Sequence, residues 1–267
     1  MMRRLFLAVC LGLASPADAE IASTADCAAA IRADPATARE DAALWARTGG
    51  GVEARVCEAA ALESLGAYAT AARLLTALAE NPNRAIGAPG RAVLFEDAAR
   101  LWLDAGQASL ARAALASADR LTDAPPRRLM LRARAEAASD DWSAARATLD
   151  AVLAAEPGSA MALSLRAATA RRLGDPAAAL ADAESARALD PALPEAIFET
   201  AAALAETGRV SEAGDLWLDL IRLQPDSPLA EAARRNLQSL NEAETAPIPP
   251  RPAIQDPGLR PMPRRTE

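Results

Sequence analysis

Residues 170–191 read "ARRLGDPAAALADAESARALDP". The stretch closes one helix-favouring run at Leu173-Gly174-Asp175-Pro176, opens another at once, and stops again at Asp190-Pro191. Gly174 can take the left-handed conformation that ends a helix without steric penalty. Asp175 can accept from the free N–H groups of the following helix, and Pro176 suits the first helical position, where its missing donor costs nothing. Pro191 cannot continue a helix, and it pushes Asp190 out of helical space. The spacing therefore predicts short helices joined by tight turns.

The phrase recurs. Pro157, Pro191 and Pro225 are separated by 34 residues each, and Gly106, Gly174 and Gly208 keep the same frame. Units beginning at Val52, Ala92, Pro126, Ala160 and Pro194 align as five copies, with a six-residue insertion around "NRAIGAPG" between the first two. The fourth copy carries Leu163, Ala167, Gly174, Ala179, Ala183, Ala186 and Pro191; the fifth carries Ile197, Ala201, Gly208, Ala213, Trp217, Leu220 and Pro225. The second keeps Phe95, Ala99, Gly106, Ala111, Leu115 and Ala118, with Asp123 at the proline place. In the third, Leu129, Ala133, Ala145, Leu149 and Pro157 hold while Asp140 replaces the glycine. The first departs most, with Arg55 at the large apolar place, but retains Ala59, Gly66, Ala71, Leu75 and Leu78.

Over residues 52–225 this pattern resembles the tetratricopeptide repeat. The resemblance implies an all-α, right-handed α-solenoid of about five helix-turn-helix repeats. Small residues such as Ala167 and Ala179 would let paired helices approach closely, and Leu163, Leu180 and Leu189 would fill the space between pairs. No pair buries its apolar face alone; stacking does it.

Composition agrees. Of 267 residues 51% are hydrophobic and only 3% aromatic, the bulk being alanine, which favours helix over strand. There is no histidine and no lysine, so all 29 basic residues are arginine, and acid-base and Schiff-base chemistry lose their commonest side chains. Neither a Gly-x-Gly-x-x-Gly, a Walker-type Gly-Lys pair nor a Gly-x-Ser-x-Gly is present. The run Gly49-Gly50-Gly51 could cradle an anion but reads as a flexible joint. Asp140-Asp141 could suggest paired carboxylates, yet it sits where an aspartate caps the helix opening at Trp142. No catalytic residue, metal or cofactor is expected, and the chain is not expected to be an enzyme.

The flanks are distinct. Met1–Arg4 give a basic start, "LFLAVCLGLA" an apolar run too short to span a bilayer, and Ala17 and Ala19 a small-residue cleavage pattern, so residues 1–19 read as a cleaved signal peptide and the chain as periplasmic. Loss of Arg3, Arg4 and Asp18 would leave 27 arginines against 35 carboxylates. Residues 20–51 are expected to form a helical cap, with helices near 25–33 and 36–48 and Trp45 as its large apolar contribution. Export would leave Cys27 and Cys57 as a pair in an oxidising space, where a disulfide is expected. Two buried thiols or a redox pair are the alternatives, although no Cys-x-x-Cys occurs. Residues 226–245 read as a C-terminal capping helix, opened by Ser227 and Pro228. Leu229, Ala232, Ala233, Leu237 and Leu240 would face inward, with Arg234, Arg235 and Asn236 toward water. Residues 246–267 hold seven prolines and four arginines and read as a disordered or polyproline tail, either without a role or in weak contact with an anionic membrane surface or a partner.

Binding is what remains for the array. In the tetratricopeptide family the concave groove, lined by the first helix of each pair, commonly receives peptides. That resemblance places Arg100, Arg127, Met130, Arg134, Arg171 and Arg172 toward the groove. Their guanidinium groups would suit an acidic or C-terminal peptide. Equally, they could be ordinary solvated arginines balanced by Glu96, Asp104 and Glu136. The Lys and Asn set of the family's best-known carboxylate clamp is missing. Acidic net charge speaks against nucleic acid. The function expected is a scaffold or adaptor in assembly of an envelope complex. Within binding the alternative is a chaperone-like holder of unfolded clients, similar to repeat domains that serve cytochrome c maturation; the other class is a thiol-redox or hydrolytic enzyme.

Overall fold

A computed structural model describes residues 21–81 and 86–245. The expected signal peptide, residues 1–19, and tail, residues 246–267, lie outside the described residues. The described residues form helices and connections, with no strand among them. The chain divides into two compact units, residues 1–71 and residues 72–267.

The first unit holds α1 (Thr24–Ala33), α2 (Pro35–Arg47) and α3 (Gly51–Ser64), each in contact with the other two. Ser23 Oγ caps α1 by accepting from the Asp26 N–H at 3.2 Å. Asp34 caps α2 by accepting from the Ala36 N–H at 3.0 Å, with Pro35 at the first helical position. Ile21, Cys27, Ala38, Ala42, Cys57 and Ala61 form the core, with Trp45 packed against it. Cys27 and Cys57 are disulfide-bonded, joining α1 to α3. The glycine run corrects the flexible-joint expectation: it makes a packed turn between α2 and α3. Gly49 and Gly51 have positive φ, and a Cβ on Gly50 would sit 2.6 Å from the Trp45 ring.

In the second unit lie most of α4 (Tyr68–Glu80), then α5 (Ala88–Asp104), α6 (Ala108–Asp119), α7 (Pro126–Ala137), α8 (Trp142–Ala155), α9 (Ala160–Arg172), α10 (Pro176–Leu189), α11 (Pro194–Glu206), α12 (Val210–Leu223) and α13 (Pro228–Thr245). The pairs α5/α6, α7/α8, α9/α10 and α11/α12 are each in contact internally. Each pair also touches the next, through α6·α7, α8·α9 and α10·α11, and α12 touches α13. The first helices meet in a second row, α5·α7, α7·α9, α9·α11 and α11·α13, so four hairpins stack in chain order under a capping helix. Helix α5 starts four residues ahead of Ala92, because Gly87 is extended and Pro89 falls in the first turn, where it costs nothing.

The turns are built as the sequence requires. Gly106, Gly174 and Gly208 have φ of +71, +80 and +91°, and the third-copy place is filled by Asp140 at +59°, the one positive-φ non-glycine among the described residues. After each, a backbone N–H reaches back five residues to close the helix: Gln107 to Trp102, Asp141 to Glu136, Asp175 to Ala170 and Arg209 to Leu204, at 2.8–2.9 Å. Asp141 and Asp175 cap the second helices by accepting from the Ala144 and Ala178 N–H groups. Alanines 167, 179, 183 and 186 are fully buried between helices, while Phe198, Trp217, Leu220, Ala232 and Ala233 anchor the far end.

Two facing expectations fail. Leu189 does not fill the space between pairs; it is 53% exposed, because it is the last residue of α10, past the inward stripe of Ala179, Ala183 and Ala186. Asn236 does not face water; it is 1% exposed, since it lies one turn beyond Ala232 and Ala233 on the face that α13 turns inward. Ser227 caps α13 as expected, accepting from the Ala230 N–H at 3.1 Å.

Candidate functional site

The row of first helices in the second unit lines a groove of about 810 Å³. Helix α5 contributes Glu96, Asp97, Arg100 and Leu103; α7 contributes Arg127, Met130, Leu131, Ala133, Arg134 and Ala137. From α9 come Met161, Ser164, Leu165, Ala168 and Thr169, from α11 Glu195 and Glu199, and from α8 Trp142 and Leu149. Gln224 and the start of the capping segment, Ser227, Pro228 and Leu229, close the far end. The 34-residue frame explains the arrangement: equal repeats present equal helix faces, so Arg127, Met161 and Glu195 are the same place in three successive copies. The lining is largely apolar, with Glu96 and Glu199 buried in it and Arg127 and Met161 exposed.

Four of the six sequence-expected residues, Arg100, Arg127, Met130 and Arg134, come together on this groove. The other two do not line it. Arg171 is buried between α9 and α11, with Nε 2.9 Å from Glu199 Oε2 and Nη1 2.7 Å from Glu206 Oε1. Its charge is spent on holding two hairpins together, which corrects its placement as a groove reader. Arg172 sits with its guanidinium carbon 5.3 Å from the centroid of the ring of Trp142, itself a lining residue, in a cation–π contact.

The groove arginines are largely neutralised. Arg127 pairs with the buried Glu96, whose other oxygen accepts from Arg128 Nε at 2.9 Å. Arg100 lies 3.3 Å from Asp104, and Arg134 lies 3.9 Å from the same carboxylate. Glu96 and Asp104 thus balance these arginines as the sequence allowed, whereas Glu136 does not take part: it is buried, and its Oε2 has no hydrogen-bond partner. At the α11 end, Glu195 is half-buried and has neither ion pair nor hydrogen bond.

Sequence reasoning missed Met161, Leu165, Trp142, Glu195 and the Ser227–Leu229 edge. The frame could have found two of them, because adding 34 and 68 to Arg127 gives Met161 and Glu195. Among the described residues, no cluster of three or more His, Cys, Asp or Glu could hold a metal, and no helix is long and apolar enough to cross a membrane.

The described residues of the second unit form an all-α stack of helix pairs, the fold that the tetratricopeptide resemblance implies. No protein-family model matches the sequence, and no curated protein matches it. Among solved structures, the APC/C hetero-tetramer Cut9–Hcn1 superposes with a TM-score of 0.62 at 14% identity, over 80% of this chain and 42% of that one. This chain therefore spans less than half of that structure's chain, and the likeness is one of fold. YrrB, described as a TPR protein with an unusual peptide-binding site, gives a TM-score of 0.49 at 15% identity over 74% and 99% of the two chains. MamA gives 0.49 at 17% identity over 61% and 92%.

Proposed function

We propose that this chain is an exported, non-catalytic scaffold for protein–protein interaction, holding an extended segment of a partner protein in the groove of its second unit and serving assembly of an envelope complex. The observation that carries this reading is the groove lined by α5, α7, α9 and α11, where the apolar side chains of Met130, Met161 and Leu165 lie among charged ones. Such a surface suits both apolar anchor side chains and polar main chain. The disulfide between Cys27 and Cys57 supports residence in an oxidising compartment, hence export and removal of residues 1–19. The balanced arginines favour an apolar anchor over an acidic ligand as the source of affinity.

The test is site-specific photo-crosslinking in cells, with a benzophenone amino acid at Met130, at Met161, or at the exposed Ala147 on α8. One partner should appear at both groove positions and not at Ala147; labelling that is equal at all three, or absent from the groove, rejects the reading. The chain recovered from the envelope fraction should begin at Glu20, and an uncleaved cytosolic chain rejects export. A second reading, a holder of unfolded clients, is favoured by the two flexible methionines in the lining. It would give many adducts rather than one.

A further inference from the structure

We propose that in the free protein the groove is occupied by this chain's own residues 246–267, which a partner must displace. The inference rests on reading the groove as a peptide-holding surface, and it adds the regulation of that surface.

Three observations carry it. The first is geometry. The capping helix α13 begins at the groove, where Pro228 and Leu229 line its edge. An 18-residue helix is about 27 Å long, so the segment after Thr245 leaves about that far from the groove. The 22 residues from 246 to 267 reach up to about 68 Å at polyproline rise, enough to return and run along the groove.

The second is charge. Arg127, Arg100 and Arg134 already face Glu96 and Asp104, which leaves Glu195 as the half-buried lining charge without an ion pair or hydrogen bond. Residues 246–267 carry Arg251, Arg260, Arg264 and Arg265 against Asp256 and Glu267, a net +2 in a chain whose formal charge is −7. This net-positive segment of an acidic protein is thus tethered within reach of an unpaired carboxylate.

The third is side-chain chemistry. Ile248, Ile254, Leu259 and Met262 are interleaved with seven prolines. Proline limits the unbound conformations of a chain, so less entropy is lost on docking, while the apolar side chains match the apolar lining residues Met130, Met161 and Leu165. Tethering then raises the local concentration of the segment to the millimolar range, and weak intrinsic binding suffices.

The experiment is crosslinking of the purified full chain, with the benzophenone residue at Met130 and separately at Met161, each checked by its thermal midpoint. The expected result is a monomer-mass adduct, independent of protein concentration, whose digest joins the probe to a peptide from residues 246–267. Glu195→Arg, or the fourfold change of Arg251, Arg260, Arg264 and Arg265 to Glu, should lower its yield at least about fivefold. An adduct to any other segment of the chain, a dimer-mass adduct alone, or no adduct at both positions overturns the proposal. If the same probes label an outside protein in cells but never residues 246–267, this inference fails while the scaffold reading stands. If neither adduct forms, both fail.

Discussion

Arg171 on α9 and Glu199 on α11 form an ion pair at 2.9 Å across two consecutive hairpins, with only 3% and 7% of their side chains exposed. Arg128 and Glu96 do the same between α7 and α5. A buried pair contributes little net stability when intact, but removing one partner strands a charge. Arg171→Leu should therefore destabilise the second unit by about 3 kcal/mol, and Glu199→Leu by a comparable amount. The double variant should cost clearly less than the sum of the two, as read in urea unfolding. Additive losses would mean that the two side chains act independently.

Asp140 holds φ +59° in the place where the neighbouring hairpins have glycine. The left-handed conformation costs a non-glycine residue roughly 1 kcal/mol or more, and the exposed Asp140 side chain has no hydrogen bond to offset it. Asp140→Gly should raise stability by about 1 kcal/mol, less the greater entropy of glycine in the unfolded chain. A thermal midpoint that stays level or falls would show that the aspartate earns its place through contacts absent from this turn.

That position also shows what the sequence made legible. The 34-residue frame marked residue 140 as the turn place even though its chemistry had changed, because backbone geometry repeats whether or not glycine does. The frame likewise placed the hairpins, their caps and the row of first helices. It failed where residue type was allowed to outvote position. Asn236 shares a stripe with Ala232, Ala233, Leu237 and Leu240, so spacing turned it inward, yet a polar side chain was read as solvent-facing. Arg171 was read as a ligand contact for its charge, although the carboxylates that claim it, Glu199 and Glu206, are 28 and 35 residues away and their approach is a tertiary fact. The packed turn at Gly50 was invisible for the same reason: only the fold brings the Trp45 ring against it.

The disulfide closes the first unit, whose core is otherwise Ile21 and alanines, with Ile31 and Trp45 packed against them. Linking residues 30 apart in sequence is worth roughly 3–4 kcal/mol in the chain-entropy model. Reduction, or Cys27→Ser with Cys57→Ser, should open this unit first. Limited trypsin digestion should then cut after Arg32, Arg39 and Arg47, while residues 88–242 stay protected. Equal resistance before and after reduction would show that the bond does not hold the unit.

Asp34 has its carboxyl held below the usual value by the Thr37 hydroxyl first and by the Ala36 N–H next. A depressed folded pKa means stability present above the unfolded value, near pH 4, and lost as pH falls through the folded one. The stability of the first unit should thus fall in acid, and Asp34→Asn should flatten that slope by lowering stability at neutral pH while changing it little in acid. An unchanged acid limb in the variant would place the dependence on other carboxylates.

The groove assignment separates binding from stability, because its lining includes side chains outside the ion pairs that tie the hairpins together. Met130 is part of the apolar lining and not of a charge network, so Met130→Glu should put an unpaired carboxylate where a partner's apolar anchor must sit. Capture of the partner found by crosslinking should fall at least about tenfold, equivalent to about 1.4 kcal/mol. Met130 is also partly buried against Ala133, Leu149, Val152 and Ala162, so the thermal midpoint should fall by a few degrees, and capture is compared at equal concentrations of folded protein. Arg171→Leu should lower the midpoint as well, but weaken capture only in proportion to unfolded protein. If Met130→Glu binds normally while the exposed Leu189 and Leu223 prove sensitive to the same substitution, the partner docks on the second helices and the groove is not the site.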